Sequence, residues 1–236
     1  MFVDITGMLK ENNMISPIKI AAVVFDMDGV IFDSENLCLK CWREIAAKYD
    51  LGDITEEFMK CTGTTKELTK QIMTDFLGDE DLYDKFASEA SLLFHMYEDR
   101  DGLPVKKGVK NLLEALKERK IRAALASSTR LAIVEAELKT AGFYDYFEVV
   151  VGGDMVKNSK PDPEIYLTAC NRLGLEPGMC AAVEDSYNGI RSAYAAGMKT
   201  VMVPDLLPPT DEMREKSIII AEDLDKLIPL FERADT

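Results

Sequence analysis

Histidine is nearly missing from this chain: His95 is the only one in 236 residues. A Ser-His-Asp hydrolytic site would have to be built on that side chain, and a plain position on a helix face is the simpler reading. Basic residues are also in deficit, 28 Lys and Arg against 42 Asp and Glu, for a formal net charge of −14. Nucleic acids and anionic membranes are themselves negative, so neither is expected as a partner. An anionic small molecule remains a candidate if its site gathers local positive charge. No apolar stretch approaches the ~20 residues of a membrane span. Met1 to Ser16 lack the basic start and apolar run of a signal peptide, so a cytoplasmic location is expected. Residues 1–17 read as an N-terminal extension, with Met14 as an alternative start.

Cysteine is sparse and odd in number: Cys38, Cys41, Cys61, Cys170 and Cys180. Reduced thiols are the simplest account. Cys38 and Cys41 form a C-x-x-C pair, but on a helical pattern and with no second pair, which argues against a metal or redox site. What is abundant is ordinary. The 47% hydrophobic and 30% charged content suits a soluble globular protein, with ample core for one large domain or two modest ones.

The organising stretch is Lys19-Ile20-Ala21-Ala22-Val23-Val24-Phe25, which predicts one buried strand. Asp26, Met27, Asp28 and Gly29 follow at once, and glycine permits a tight turn. Two carboxylates one residue apart at the end of a buried strand repel each other unless a cation joins them, and Mg2+ suits such oxygen ligands. Beyond Ser34, taken as an N-cap, the patterns are helical: Leu37, Cys41, Ile45 and Tyr49, then Thr55–Lys60, Thr65–Leu77 and Asp79–Asp99. With no convincing strand there, residues 34–101 form a helical insert, and the core is assigned to 18–33 and 102–236. Lys106-Lys107-Gly108, where the core resumes, reads as a solvated turn.

The second half alternates strand and helix. Strands are expected at Ile121–Ala126, Phe147–Val151, Met179–Val183, Lys199–Val203 and Ile218–Ile220, with a last helix over Leu224–Arg233. The fold class is therefore α/β, a doubly wound parallel sheet. In such a sheet the strand ends share one edge. That edge receives Asp26 and Asp28; Ser127, Ser128 and Thr129; the loop carrying Lys160-Pro161-Asp162-Pro163; and Glu184, Asp185 and Ser186. Each of the last three groups alone reads more readily as a helix start. Together they suit phosphoryl transfer. Asp26, Asp185 and the carbonyl of Asp28 supply oxygen ligands for Mg2+. Ser127, Ser128 and Lys160 supply phosphate-binding groups, and Asp28 remains for proton transfer.

These four groups resemble the motifs of the haloacid dehalogenase superfamily, closest to its phosphatase and phosphomutase branch, from Lys19 to the C-terminus. The resemblance implies a Rossmann-like core with a helical cap inserted after the first strand. It implies Asp26 as nucleophile, Asp28 as general acid/base, Ser127 and Lys160 on the phosphoryl group, and Mg2+ on Asp26, Asp28 and Asp185, with Glu184 close by or ligating. The cap selects substrate in this family, and its loop resembles Thr62-Gly63-Thr64-Thr65-Lys66, making Thr64 and Lys66 substrate candidates. Family members that dehalogenate lack the second aspartate. Sugar phosphomutases carry a histidine twelve residues after the nucleophile, where this chain has Cys38. The expected activity is thus a phosphatase on a small sugar or polyol phosphate, with a hexose-phosphate mutase as alternative and a non-catalytic phosphometabolite-binding module as a third reading. A monomer or weak homodimer is expected.

Overall fold

The structure, a computed structural model, describes residues 3–4 and 17–234. The Met14 start and most of the expected extension lie outside the described residues. The predicted strand from Lys19 to Phe25 divides in two. Ile18–Ile20 (β2) pairs with Phe231–Arg233 (β9) in a small sheet, whereas Ala22–Phe25 (β3) enters the main one. The bend falls at Ala21, whose N–H donates to the Met179 carbonyl at 2.8 Å while Ala234 N–H donates to Ile20 O at 2.9 Å. Neighbouring residues thus serve different sheets.

The main sheet also contains Val3–Asp4 (β1), Arg122–Ala126 (β4), Val149–Val151 (β5), Cys180–Glu184 (β6), Lys199–Met202 (β7) and Ile219–Ile220 (β8). Its order is β1-β8-β7-β6-β3-β4-β5 and its pairings are parallel. β3 lies between β4 and β6, with Phe25 opposite both Leu125 and Val183, so their carboxyl ends finish level. This is the switch point at which doubly wound sheets bind ligands. Every residue of β3 and β6 is buried. Small side chains (Ala22, Ala124, Ala126, Ala182) let the helix Glu164–Leu173 pack close through Ile165, Tyr166, Ala169 and Cys170.

The expected terminal helix is instead a run of 3₁₀ turns, Leu224–Leu230, followed by β9. Pro229 lacks the N–H that an α-helix would need there, and the chain extends to meet β2. A short helix, Asp211–Lys216, was not anticipated; one and a half turns carry too little periodicity to register.

The chain divides into two units, one comprising the residues up to Phe32 and from Val105 onward, the other Asp33–Pro104. The second unit is helical: Ser34–Lys48, Thr55–Cys61, Lys66–Leu77 and Glu80–Asp101. Its core centres on Met73 and Phe86, with Trp42 edge-on to Phe58 and Phe86 at 4.9 and 5.4 Å. Thr65 and Asp79 cap the third and fourth helices through the Leu68 and Leu82 N–H groups. Ser34 is not an N-cap. It is the first helical residue, after Asp33. Among the described residues no helix is long and apolar enough to cross a membrane.

Candidate active site

β3 delivers Asp26 to the sheet edge, its N–H bonded to Val183 O at 3.0 Å. The chain then reverses around Met27, whose carbonyl accepts from Val30, Ile31 and Phe32, while Gly29 N–H donates to Phe32 O at 2.8 Å. Gly29 sits at φ 76°, and a Cβ there would fall on the Asp185 carboxylate, so only glycine allows this approach.

Lys160 is the electrostatic centre. Its Nζ lies 2.8 Å from Asp26 Oδ1 and 2.7 Å from Glu184 Oε1, and donates to Ala126 O at 3.2 Å. Burial alone would lower the lysine pKa, but Asp26 and Glu184 reverse the effect and raise it. The carboxylates feel the opposite pressure. Burial first, then Glu184, pushes Asp26 up to about 7 against the pull of Lys160. Asp185 is raised well above the usual carboxylate range by burial, Glu184, Asp26 and Asp205. One lysine therefore does not balance the cluster.

Carboxylate oxygens of Asp26, Glu184 and Asp185 lie within 4.8 Å of one another. Asp26 Oδ1 is buried without a well-aligned hydrogen bond. A crowded set of hard oxygen donors carrying excess negative charge fits Mg2+.

Asp28 is held from the next strand end, where Thr129 Oγ1 donates to its Oδ2 at 3.1 Å. Ser127 is fully buried and its Oγ accepts from Thr129 N–H at 3.0 Å. Ser128 is exposed. None of these three caps the helix Leu131–Thr140; Asp154 does, accepting from Leu131 N–H at 2.8 Å. The helix-start reading does apply in part at the other two places. Asp162 accepts from Glu164 N–H at 3.0 Å, and Ser186 Oγ from Gly189 N–H at 3.0 Å.

The Lys106-Lys107-Gly108 segment is a solvated turn only in part. Lys107 is exposed and reaches Asp223 at 2.6 Å, whereas Lys106 is drawn in, pairing at 2.7 Å with Asp205, which is itself shielded from water. Thr64 and Lys66 belong to the helical unit. Thr64 Oγ1 donates to Cys61 O at 2.7 Å and pairs with Thr69 Oγ1 at 2.9 Å, while Lys66 is exposed at a helix start. Cys38 is a free thiol that burial pushes up to about 12, which leaves no ready thiolate for redox or metal chemistry.

Sequence reasoning missed Thr129 as the partner of Asp28 and Tyr166 as the partner of Glu184. The hydroxyl of Thr129 was visible in Ser127-Ser128-Thr129. Tyr166 gave no signal, because a tyrosine on an apolar helix face reads as core.

Residues 23–203 match the family model described as haloacid dehalogenase-like hydrolase. A phosphorylated carbohydrates phosphatase of Thermotoga maritima is 33% identical over 183 residues, covering 76% of this chain and 83% of that protein. A fructose-1-phosphate phosphatase of Escherichia coli K12 is 32% identical over 190 residues, covering 78% and 97%. The crystal structure of a β-phosphoglucomutase from Clostridium difficile superposes with a TM-score of 0.64 at 27% identity, covering 88% of this chain and 93% of the other. With the strand-end geometry and this breadth of match, the chain belongs to the haloacid dehalogenase-like hydrolases.

Proposed function

We propose that the protein is a Mg2+-dependent phosphatase that hydrolyses a small phosphomonoester, a sugar or polyol phosphate, through an aspartyl-phosphate on Asp26. The observation that carries this reading is the pairing of two aspartates with different surroundings: Asp26 buried against Lys160, and Asp28 tethered only two residues away by Thr129. An Asp26 carboxylate oxygen attacks phosphorus as the ester P–O bond breaks. Asp28 gives its proton to the departing alkoxide. Asp28 then takes a proton from water, whose oxygen attacks the aspartyl-phosphate and returns Asp26 as free carboxylate. Lys160 and Ser127 hold the phosphoryl oxygens, and Lys160 also favours the ionised form that Asp26 needs as nucleophile. Asp26, Asp185 and the carbonyl of Asp28 would hold Mg2+, which supplies positive charge to screen the approach of two anions. Thr64 and Lys66 are proposed to contact the alcohol part of the substrate.

A hexose-phosphate mutase is the second reading, supported by the likeness to a β-phosphoglucomutase structure. Cys38, with its high pKa, stands against it, because it cannot replace an imidazole in proton transfer near neutral pH. The experiment is phosphate release from a panel of sugar, polyol and nucleoside monophosphates with Mg2+, with isomerised sugar phosphate assayed in parallel. Release without isomerisation supports the phosphatase. Isomerisation faster than release overturns it in favour of the mutase.

A further inference from the structure

Tyr166 is the bulkiest fully buried side chain among the described residues. A buried phenol needs a hydrogen-bond partner, and this one donates to Glu184 Oε1 at 2.8 Å. A phenylalanine would fill the same space against the sheet, so packing does not account for the hydroxyl. Glu184 is correspondingly saturated. Oε1 accepts from Lys160 Nζ at 2.7 Å and from Tyr166; Oε2 accepts from Asp185 N–H and Ser186 N–H at 3.2 Å each and from Ser186 Oγ at 3.0 Å. A carboxylate offers about four lone-pair directions, and five donors occupy them. Gly189 makes room for this arrangement, since a Cβ there would fall inside the carboxylate.

We propose that Tyr166 is a positioning residue for phosphate binding: its hydroxyl occupies Glu184 Oε1, so that Glu184 fixes Lys160 beside Asp26 and leaves the metal to Asp26 and Asp185. This rests on the phosphatase reading. Lys160 is shared between Asp26 Oδ1 and Glu184 Oε1, 2.8 and 2.7 Å away. Without the phenol, Oε1 has the lysine as its sole donor and draws the ammonium away from Asp26 and from the phosphoryl oxygens. The metal ligands are untouched.

The test is titration calorimetry with Mg2+ alone, then with inorganic phosphate in saturating Mg2+, on the wild type, Tyr166→Phe, Glu184→Gln and Asp185→Asn. For Tyr166→Phe the expected result is phosphate binding weakened about tenfold, the effect of losing a hydrogen bond to a charged group, with Mg2+ affinity held within about twofold of wild type. A merely structural role would lower both affinities together. Glu184→Gln is expected to lose phosphate affinity and keep Mg2+ affinity, whereas Asp185→Asn loses Mg2+; this arm carries the test should Tyr166→Phe not fold. Unaltered phosphate binding in Tyr166→Phe, or a Mg2+ loss in Glu184→Gln as large as in Asp185→Asn, overturns the proposal while a wild type that binds phosphate and hydrolyses esters keeps its phosphatase reading. A wild type that binds Mg2+ but no phosphate overturns both.

Discussion

Thr129 donates its hydroxyl to Asp28 Oδ2 across 3.1 Å, joining the end of β4 to the turn after β3. In the proposed mechanism Asp28 gives a proton to an alkoxide and then takes one from a water, so its orientation is expected to matter more to turnover than to binding. Thr129→Val keeps the shape and removes the donor. The expected result is a kcat lowered about tenfold with KM changed less than about twofold, read from steady-state kinetics.

The metal-free protein should lose stability as pH rises between the ordinary aspartate value and about 7. Asp26 has a folded pKa raised above its unfolded one by burial and Glu184. Folded protein therefore binds more protons in that window, and the stabilisation present at low pH is lost as the carboxyl ionises. The loss is on the order of 1.4 kcal/mol for each pH unit climbed. Asp185, raised for similar reasons, acts in the same direction. Melting curves in EDTA for wild type and Asp26→Asn should converge toward low pH, with the wild type falling behind as pH rises; Mg2+ should close the gap. A pH-independent difference would contradict this account.

Gly189 lies inside the helix Tyr187–Ala195, where alanine ordinarily stabilises by about 1 kcal/mol. Here the added methyl would strike the Glu184 carboxylate. Gly189→Ala is expected to destabilise by about 2 kcal/mol or more in urea unfolding, reversing the usual sign.

Lys106 reaches Asp205 from the segment that re-enters the core, and the Asp205 side chain is only 4% exposed. Lys106→Met removes the counter-charge of a shielded acid. A loss of about 2 kcal/mol in chemical unfolding is expected, larger than the few tenths typical of a surface pair.

The edge where these groups meet was legible in the sequence because carboxylates, hydroxyls and a lysine directly follow apolar runs, and a parallel sheet brings such ends level. The register of Phe25 with Leu125 and Val183 is the structural form of that reasoning. The pairing of β2 with β9 was not legible. It joins three-residue segments at opposite ends of the chain, and Leu224–Arg233 carries a helix-like apolar spacing that Pro229 defeats. The Tyr166–Glu184 bond was hidden for a different reason: an aromatic residue on a core face announces packing, while the partner of its hydroxyl depends on tertiary geometry. Lys106 looked solvated because its acid, Asp205, lies 99 residues away in sequence.

The most direct test of the central claim is a single-turnover reaction with a labelled phosphomonoester and Mg2+, quenched in acid and mapped by peptide. The account predicts label on the peptide carrying Asp26, and neither label nor phosphate release in Asp26→Asn. Release at the wild-type rate from Asp26→Asn, or label on a different residue, would contradict it.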